Sequence, residues 1–187
     1  MKRWEEKGRT RLIENHMFSI DSHRLVSPRT GEDRDFFILK TCDWCNIVAL
    51  TDDNQVVMVR QQRHGTDEVT LELPGGMIDP EDPTPGAAAL RELVEETGYF
   101  ADTVESTGVI APNPAMLNNR CHSFLARNVV RRQAPSQDAG EDIEVVTVPL
   151  SEIPKKIASG EITHALVVVA FAFALGVGAS LTDRERR

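Results

Sequence analysis

One helix constrains this chain more than any other feature. From Thr84 or Pro85 to Gly98 the sequence places a proline suited to a first helical turn at one end and a glycine stop at the other. A helix advances about 100° per residue. With Glu92 set at zero, Glu96 falls near about 40° and Glu95 near about 300°, whereas Leu93, Thr97, Leu90 and Val94 fall between about 100° and 200°. One face is therefore carboxylate and the opposite face apolar, and the apolar face is expected to lie on a core. Arg91, four residues before Glu95, is spaced to pair with it. Alone, the stripe is either a solvated acidic face or a cation site, because like charges at this spacing cost an isolated helix only ~0.2–0.5 kcal/mol.

Charge distribution favours the cation. The 187 residues carry a formal charge of −8, and the stretch from Asp79 to Glu105, with eight acids and the single base Arg91, supplies −7 of it. A chain of pI near 5.1 has the wrong sign for tracking a phosphate backbone, so nucleic-acid binding is not expected. The apolar share of 41% and charged share of 27% are those of a globular chain rather than a disordered or fibrous one.

The three cysteines are an odd number, and the first residues, MKRWEEKGRTRLIENHMF, have no apolar core of leader length. A reducing, cytoplasmic setting without a disulfide framework is expected. The uncharged run from Ala165 to Leu181 is rich in Ala and Gly and lacks aromatic belts. It reads as a buried helix, and no membrane association is expected.

The length fits one domain with a small appendage. Residues 14–45 read as extended structure with a turn at 30–33, a small β region at residues 1–45 ahead of a main domain at 46–187. NIVALTDDNQVVMVRQQR reads as a hairpin turning at Asp52, Asp53 and Asn54, with Arg60 and Arg63 at the end of its second strand. VTLELPGG is a short strand stopped by Pro74. Further strands are expected near 106–110, 122–126 and 143–149, and helices after Ser151 and Ile162.

GGMIDPEDPTPGAAALRELVEETGY, Gly75 to Tyr99, resembles the signature box of the Nudix hydrolases: Gly, five residues, Glu, seven residues, then Arg-Glu-aliphatic-any-Glu-Glu-any-Gly-apolar. Arg91, Glu92, Leu93, Glu95, Glu96 and Gly98 match in register. Asp82 stands where the first Glu is expected, the interval from it to Arg91 is one residue longer, and Tyr99 replaces an aliphatic. VRQQRHG, LELPGG, APNPAMLNNR, EDIEV and GEITHALVVVA are similar to the ADP-ribose and nucleoside-diphosphate-sugar pyrophosphatase branch, as is Pro114, fifteen residues past Tyr99.

The resemblance implies an α/β/α sandwich with a mixed sheet, preceded by the N-terminal β region, and homodimerisation through that region. It implies Mg²⁺- or Mn²⁺-dependent cleavage of a diphosphate in ADP-ribose or a nucleotide sugar, giving a nucleoside monophosphate and a sugar phosphate. The rivals are another diphosphate, such as a dinucleotide coenzyme or a nucleoside triphosphate, and a silent nucleotide-binding sensor. Carboxylate oxygens suit such hard cations. Glu92 and Glu96 are the expected principal ligands, Glu95 a ligand or acceptor for metal-bound water, and the carbonyl of Gly75 a further ligand. The branch places a general base on the box helix or on a loop before the EDIEV strand. With Ala139 where relatives often have Glu, that role falls to Glu141, with Asp138 second. Arg60 and Arg63 are expected either to grip diphosphate oxygens with their guanidinium forks or to form structural ion pairs. Glu72 would accept from a ribose hydroxyl or from one of those arginines, and Trp44 would stack on a base or pack in the core. Cys42 and Cys45 point to opposite faces of a strand, the histidines show no paired ligand spacing, and His164 reads as a cap.

Overall fold

The helix read from the sequence is α1, Pro85–Thr97, in the computed structural model, which describes residues 1–137, 140 and 142–176. Its ends are set by local chemistry. The Thr84 hydroxyl accepts from the N–H of Ala87 at 3.1 Å, Pro85 opens the first turn, and Gly98, at φ 73°, takes the left-handed conformation while its N–H donates to the Val94 carbonyl.

Two units make up the chain. Met1–Asp43 with Ala111–Arg120 forms the first, an antiparallel meander of β1 (Glu5–Glu14), β2 (Phe18–Val26) and β3 (Asp33–Thr41). β2 and β3 pair in unbroken register from Phe18 opposite Thr41 to Val26 opposite Asp33, while β1 carries two irregularities. Segment 111–120 runs beside β3: the N–H of Leu39 donates to the Met116 carbonyl at 2.9 Å, and that of Thr41 to Asn118 Oδ1 at 3.0 Å. The sequence reading began its extended segment at residue 14 and missed β1. Every residue of EEKGRTRLIE is exposed, so no apolar alternation marks it as a strand.

Trp44–Ile110 with residues from Cys121 onward forms the second unit. Its strands are β4 (Trp44–Leu50), β5 (Gln55–Arg63), β6 (Glu68–Glu72), β7 (Tyr99–Phe100), β8 (Glu105–Ile110), β9 (Cys121–Arg127), β10 (Val130–Arg131) and β11 (Glu144–Pro149). A mixed sheet runs β11-β5-β4-β9-β8, with β6 also on β5. Only β4 and β9 are parallel within it. β7 and β10 form a separate short ribbon. Helices α2 (Ile153–Ala158) and α3 (Ala165–Ala174) complete the unit.

Alternation along β4 builds two apolar layers. Cys45, Ile47 and Ala49 pack with Val57, Ala88, Ala89, Leu93 and Phe124 beneath α1. Val48 and Leu50 pack on the other face with Met58, Leu71, Ile153, Val167 and Phe171 from β5, β6, α2 and α3. Each Val, Leu, Ile, Met or Phe among them, fully buried, contributes ~1.5–3 kcal/mol. This is the expected α/β/α sandwich around a mixed sheet. No helix among the described residues is long and apolar enough to cross a membrane, and α3 spans ten residues. Residues 177–181 of the apolar run lie outside the described residues.

One departure from regular pairing positions the site. β4 pairs with β5 only through Ala49 and Leu50, and further toward its start the chain following β6 takes the place of β5. There Ile47 donates to the Pro74 carbonyl at 3.0 Å and Cys45 to that of Gly76 at 2.9 Å. Gly75 is thereby threaded along the sheet with its flanking carbonyls committed to β4.

Candidate active site

Two of the three carboxylates on the α1 stripe, Glu92 and Glu96, face protein rather than solvent. Glu92 is 9% exposed and Glu96 3%. The buried residues of the helix are Ala88, Ala89, Glu92, Leu93, Glu96 and Thr97, while Leu90 and Val94 are half-buried. Carboxylate and apolar stripes are thus adjacent, not opposite as the helical wheel implied, because the helix lies on the sheet by its Ala and Leu93 side and reaches the glycine turn with its glutamates.

Pro74, Gly75 and Gly76 form the opposing wall. The N–H of Gly75 donates to Glu96 Oε2 at 3.1 Å. A methyl group on Gly76 would sit 2.5 Å from Glu92 Oε1, and one on Gly75 would strike the Cys45 carbonyl oxygen. Only glycine lets both carboxylates and β4 come this close to the turn. Cys45, beneath it, has its thiol pushed up to about 12 by burial, which makes it inert.

Arg91 organises the acids around it. Its Nε and Nη2 meet Asp82 Oδ1 and Oδ2 at 3.2 and 3.0 Å, its Nη1 reaches Glu92 Oε1 at 3.0 Å and Glu95 Oε2 at 2.9 Å, and its Nη2 also donates to the Met77 carbonyl at 3.1 Å. The hydrogen bonds from Arg91 hold the Asp82 carboxyl below its ordinary value, and the bond to Asp82 chiefly raises Arg91 in turn. The shorter acid at 82 and the longer interval before Arg91 therefore still close a two-pronged pair.

Glu95 is the most exposed of the three, with 44% of its side chain accessible. Among the described residues no three His, Cys, Asp or Glu side chains converge closely enough to hold an ion. The donor type nevertheless suits a hard divalent cation, being two carboxylates one helical turn apart in a largely buried wall.

The remaining expected residues fall into three places. Arg60 lies opposite Glu144 in the β5–β11 register and its Nη1 approaches Glu144 Oε2 at 3.4 Å. Arg63 grips Glu72 through Nε and Nη2 at 2.7 and 2.6 Å, and Glu72, only 2% exposed, also accepts from the Thr70 hydroxyl at 2.6 Å. Burial pushes the Glu72 carboxyl up, but the Arg63 and Thr70 bonds more than offset it and leave it below its ordinary value. Trp44 is half-buried at the head of β4, bridged to Met77 and in register with Cys121. His164 caps α3, its Nδ1 accepting from the Leu166 N–H at 3.2 Å.

Glu141 and Asp138 lie outside the described residues, but the chain flanking them is well held. The N–H of Ser136 donates to the Glu95 carbonyl at 2.7 Å, and the Gln137 amide both donates to the Ile143 carbonyl and accepts from its N–H. Sequence reading singled out neither Thr70 nor Gln137. The one available signal was that Thr70 and Glu72, two apart, share a strand face.

Several known proteins are similar to this chain. An ADP-ribose pyrophosphatase of Bacillus subtilis is 30% identical over 128 residues, 68% of this chain and 69% of that protein. A methanol dehydrogenase activator of Bacillus methanolicus is 30% identical over 129 residues, again 68% and 69%. The crystal structure of an ADP compounds hydrolase matches with a TM-score of 0.82 at 21% identity, covering 100% of this chain and 98% of that one, a likeness of fold. Because residues 45–166 also match the NUDIX domain, with the α1 carboxylates and the glycine turn inside that span, the chain belongs to the NUDIX family.

Proposed function

We propose that the protein is a Nudix pyrophosphatase that hydrolyses the diphosphate of ADP-ribose or a nucleoside-diphosphate sugar, using Mg²⁺ or Mn²⁺. The observation that carries this reading is the burial of Glu92 and Glu96 against Gly75 and Gly76. Hiding two carboxylates from water costs several kcal/mol, a cost offset by what they bind. The kinship with an ADP-ribose pyrophosphatase supports the substrate class.

In this reading Glu92, Glu96 and the Gly75 carbonyl hold the cation, and Glu95 accepts from water at its edge. The cation, when bound, neutralises phosphoryl oxygens and lowers the pKa of a water. Arg91 holds Glu92 and Glu95 in orientation. Arg63 and Arg60 contact the diphosphate, Trp44 offers a ring to the base, and Glu141 takes the proton from the attacking water. The water adds across the P–O–P linkage, so one phosphorus gains the hydroxyl oxygen and the other keeps the bridging oxygen, giving a nucleoside monophosphate and a sugar phosphate.

The reading includes a cytoplasmic setting, supported by three free thiols, and a homodimer formed through the N-terminal sheet. Exposed Leu12, Ile13 and Phe37 on that sheet support the homodimer. Sizing chromatography of the full chain, and of a chain lacking residues 1–40, tests the assembly.

A panel of ADP-ribose, nucleotide sugars, dinucleotide coenzymes and nucleoside triphosphates, assayed with Mg²⁺ for nucleoside monophosphate, tests the activity. Fastest turnover of ADP-ribose or a nucleotide sugar, abolished by chelation and restored by Mg²⁺, is expected. Binding without turnover of any member would make the protein a sensor instead.

A further inference from the structure

We propose that Thr70 is a positioning residue that, through Glu72, presets the Arg63 guanidinium for the substrate diphosphate; this rests on the reading of Arg63 as a diphosphate contact. Thr70 is 7% exposed and its hydroxyl donates to Glu72 Oε1 at 2.6 Å, the same oxygen that accepts from Arg63 Nε at 2.7 Å. Arg63 Nη2 completes the fork on Oε2 at 2.6 Å. Two parallel bonds fix the plane of a guanidinium as well as its position.

The exposure of the pair is lopsided. The Glu72 side chain is 3% exposed and that of Arg63 43%. A surface ion pair leaves both partners in water and a core pair hides both. Here the acid is inside and the base extends outward from it, an arrangement that orients the base. Glu72 also stands three residues before Gly75, the donor to Glu96, so the backbone that carries the fork is at most about 11 Å from the glycine turn. Thr70 acts by keeping Oε1 where Nε needs it. Without the Thr70 bond Oε1 loses a fixed donor, the fork is held less firmly, and substrate would have to order Arg63 on binding.

Kinetics on the diphosphate selected by the panel, ADP-ribose by expectation, test this. Thr70→Val, which keeps the shape and removes the hydroxyl, is expected to raise KM about five- to tenfold with kcat within about twofold. The Mg²⁺ activation midpoint should stay unchanged. Thr70→Ser, retaining the hydroxyl, should restore KM. Arg63→Lys should raise KM further, and adding Thr70→Val to it should change nothing more, because the fork is already gone. Unchanged KM in Thr70→Val, with Arg63→Lys impaired, overturns the relay alone, as do additive effects in the double variant. Unchanged KM in Arg63→Lys overturns the reading of Arg63 and the relay with it. If Thr70→Val does not fold, Thr70→Ala alongside Thr70→Ser gives the same comparison.

Discussion

The backbone N–H of Gly75 donates to Oε2 of Glu96 at 3.1 Å, joining a glycine turn to a helical residue 21 positions further along the chain. The bond holds that carboxylate oxygen against the turn through a backbone donor. Glu96→Gln separates this contact from the proposed cation binding. The amide oxygen can still accept from Gly75, so melting should shift by no more than a few degrees. A neutral amide is a poor ligand for a hard cation, and kcat should fall by about 100-fold or more. Steady-state kinetics with Mg²⁺ and thermal denaturation check both halves, and an unaltered kcat removes Glu96 from the metal shell.

Gly76→Ala tests the opposing wall. The new methyl would stand 2.5 Å from Glu92 Oε1, the end of a flexible side chain, so the carboxylate swings aside at ~1 kcal/mol or little more. The expected outcome is a raised Mg²⁺ activation midpoint with a nearly unchanged melting temperature.

Arg91→Met leaves Asp82, Glu92 and Glu95 without their common partner. Asp82 and Glu92 are the more buried, so the loss should cost about 1–3 kcal/mol, read as a lower urea midpoint. Added salt should recover part of it by screening the acids.

Acid should weaken the N-terminal sheet through Asp21. Hydrogen bonds from Lys40 and then Arg11 hold this carboxyl at about 2 against an ordinary 3.8. A depressed folded value stabilises in full above the unfolded one, and the contribution is lost as pH falls from about 3.8 through about 2. Urea midpoints of the wild type measured from pH 5 to 2.5 should drop, and Asp21→Asn should remove part of that slope. Equal slopes in both proteins would show that Asp21 does not drive the loss.

Legibility followed the range of the interaction. α1 was readable residue by residue because Thr84, Pro85 and Gly98 act within one turn of themselves. The β4–β5 hairpin was readable because Asn54, at φ 59°, suits a tight turn between two apolar strands. β1 was not, since its charged residues are held by pairing with β2 rather than by burial.

For the site, the box residues and their register lie in the linear order of the chain, and the crowding of acids on one helix is legible there too. Sequence by itself determined those acids, the sandwich class and the glycines opposite them. Only the tertiary structure decided that Glu92 and Glu96 are buried against the turn, that the acidic and apolar stripes adjoin, and that Glu72 serves Arg63 from beneath. Each of these depends on strands from distant parts of the chain meeting at a set distance, which residue spacing along a single element does not encode.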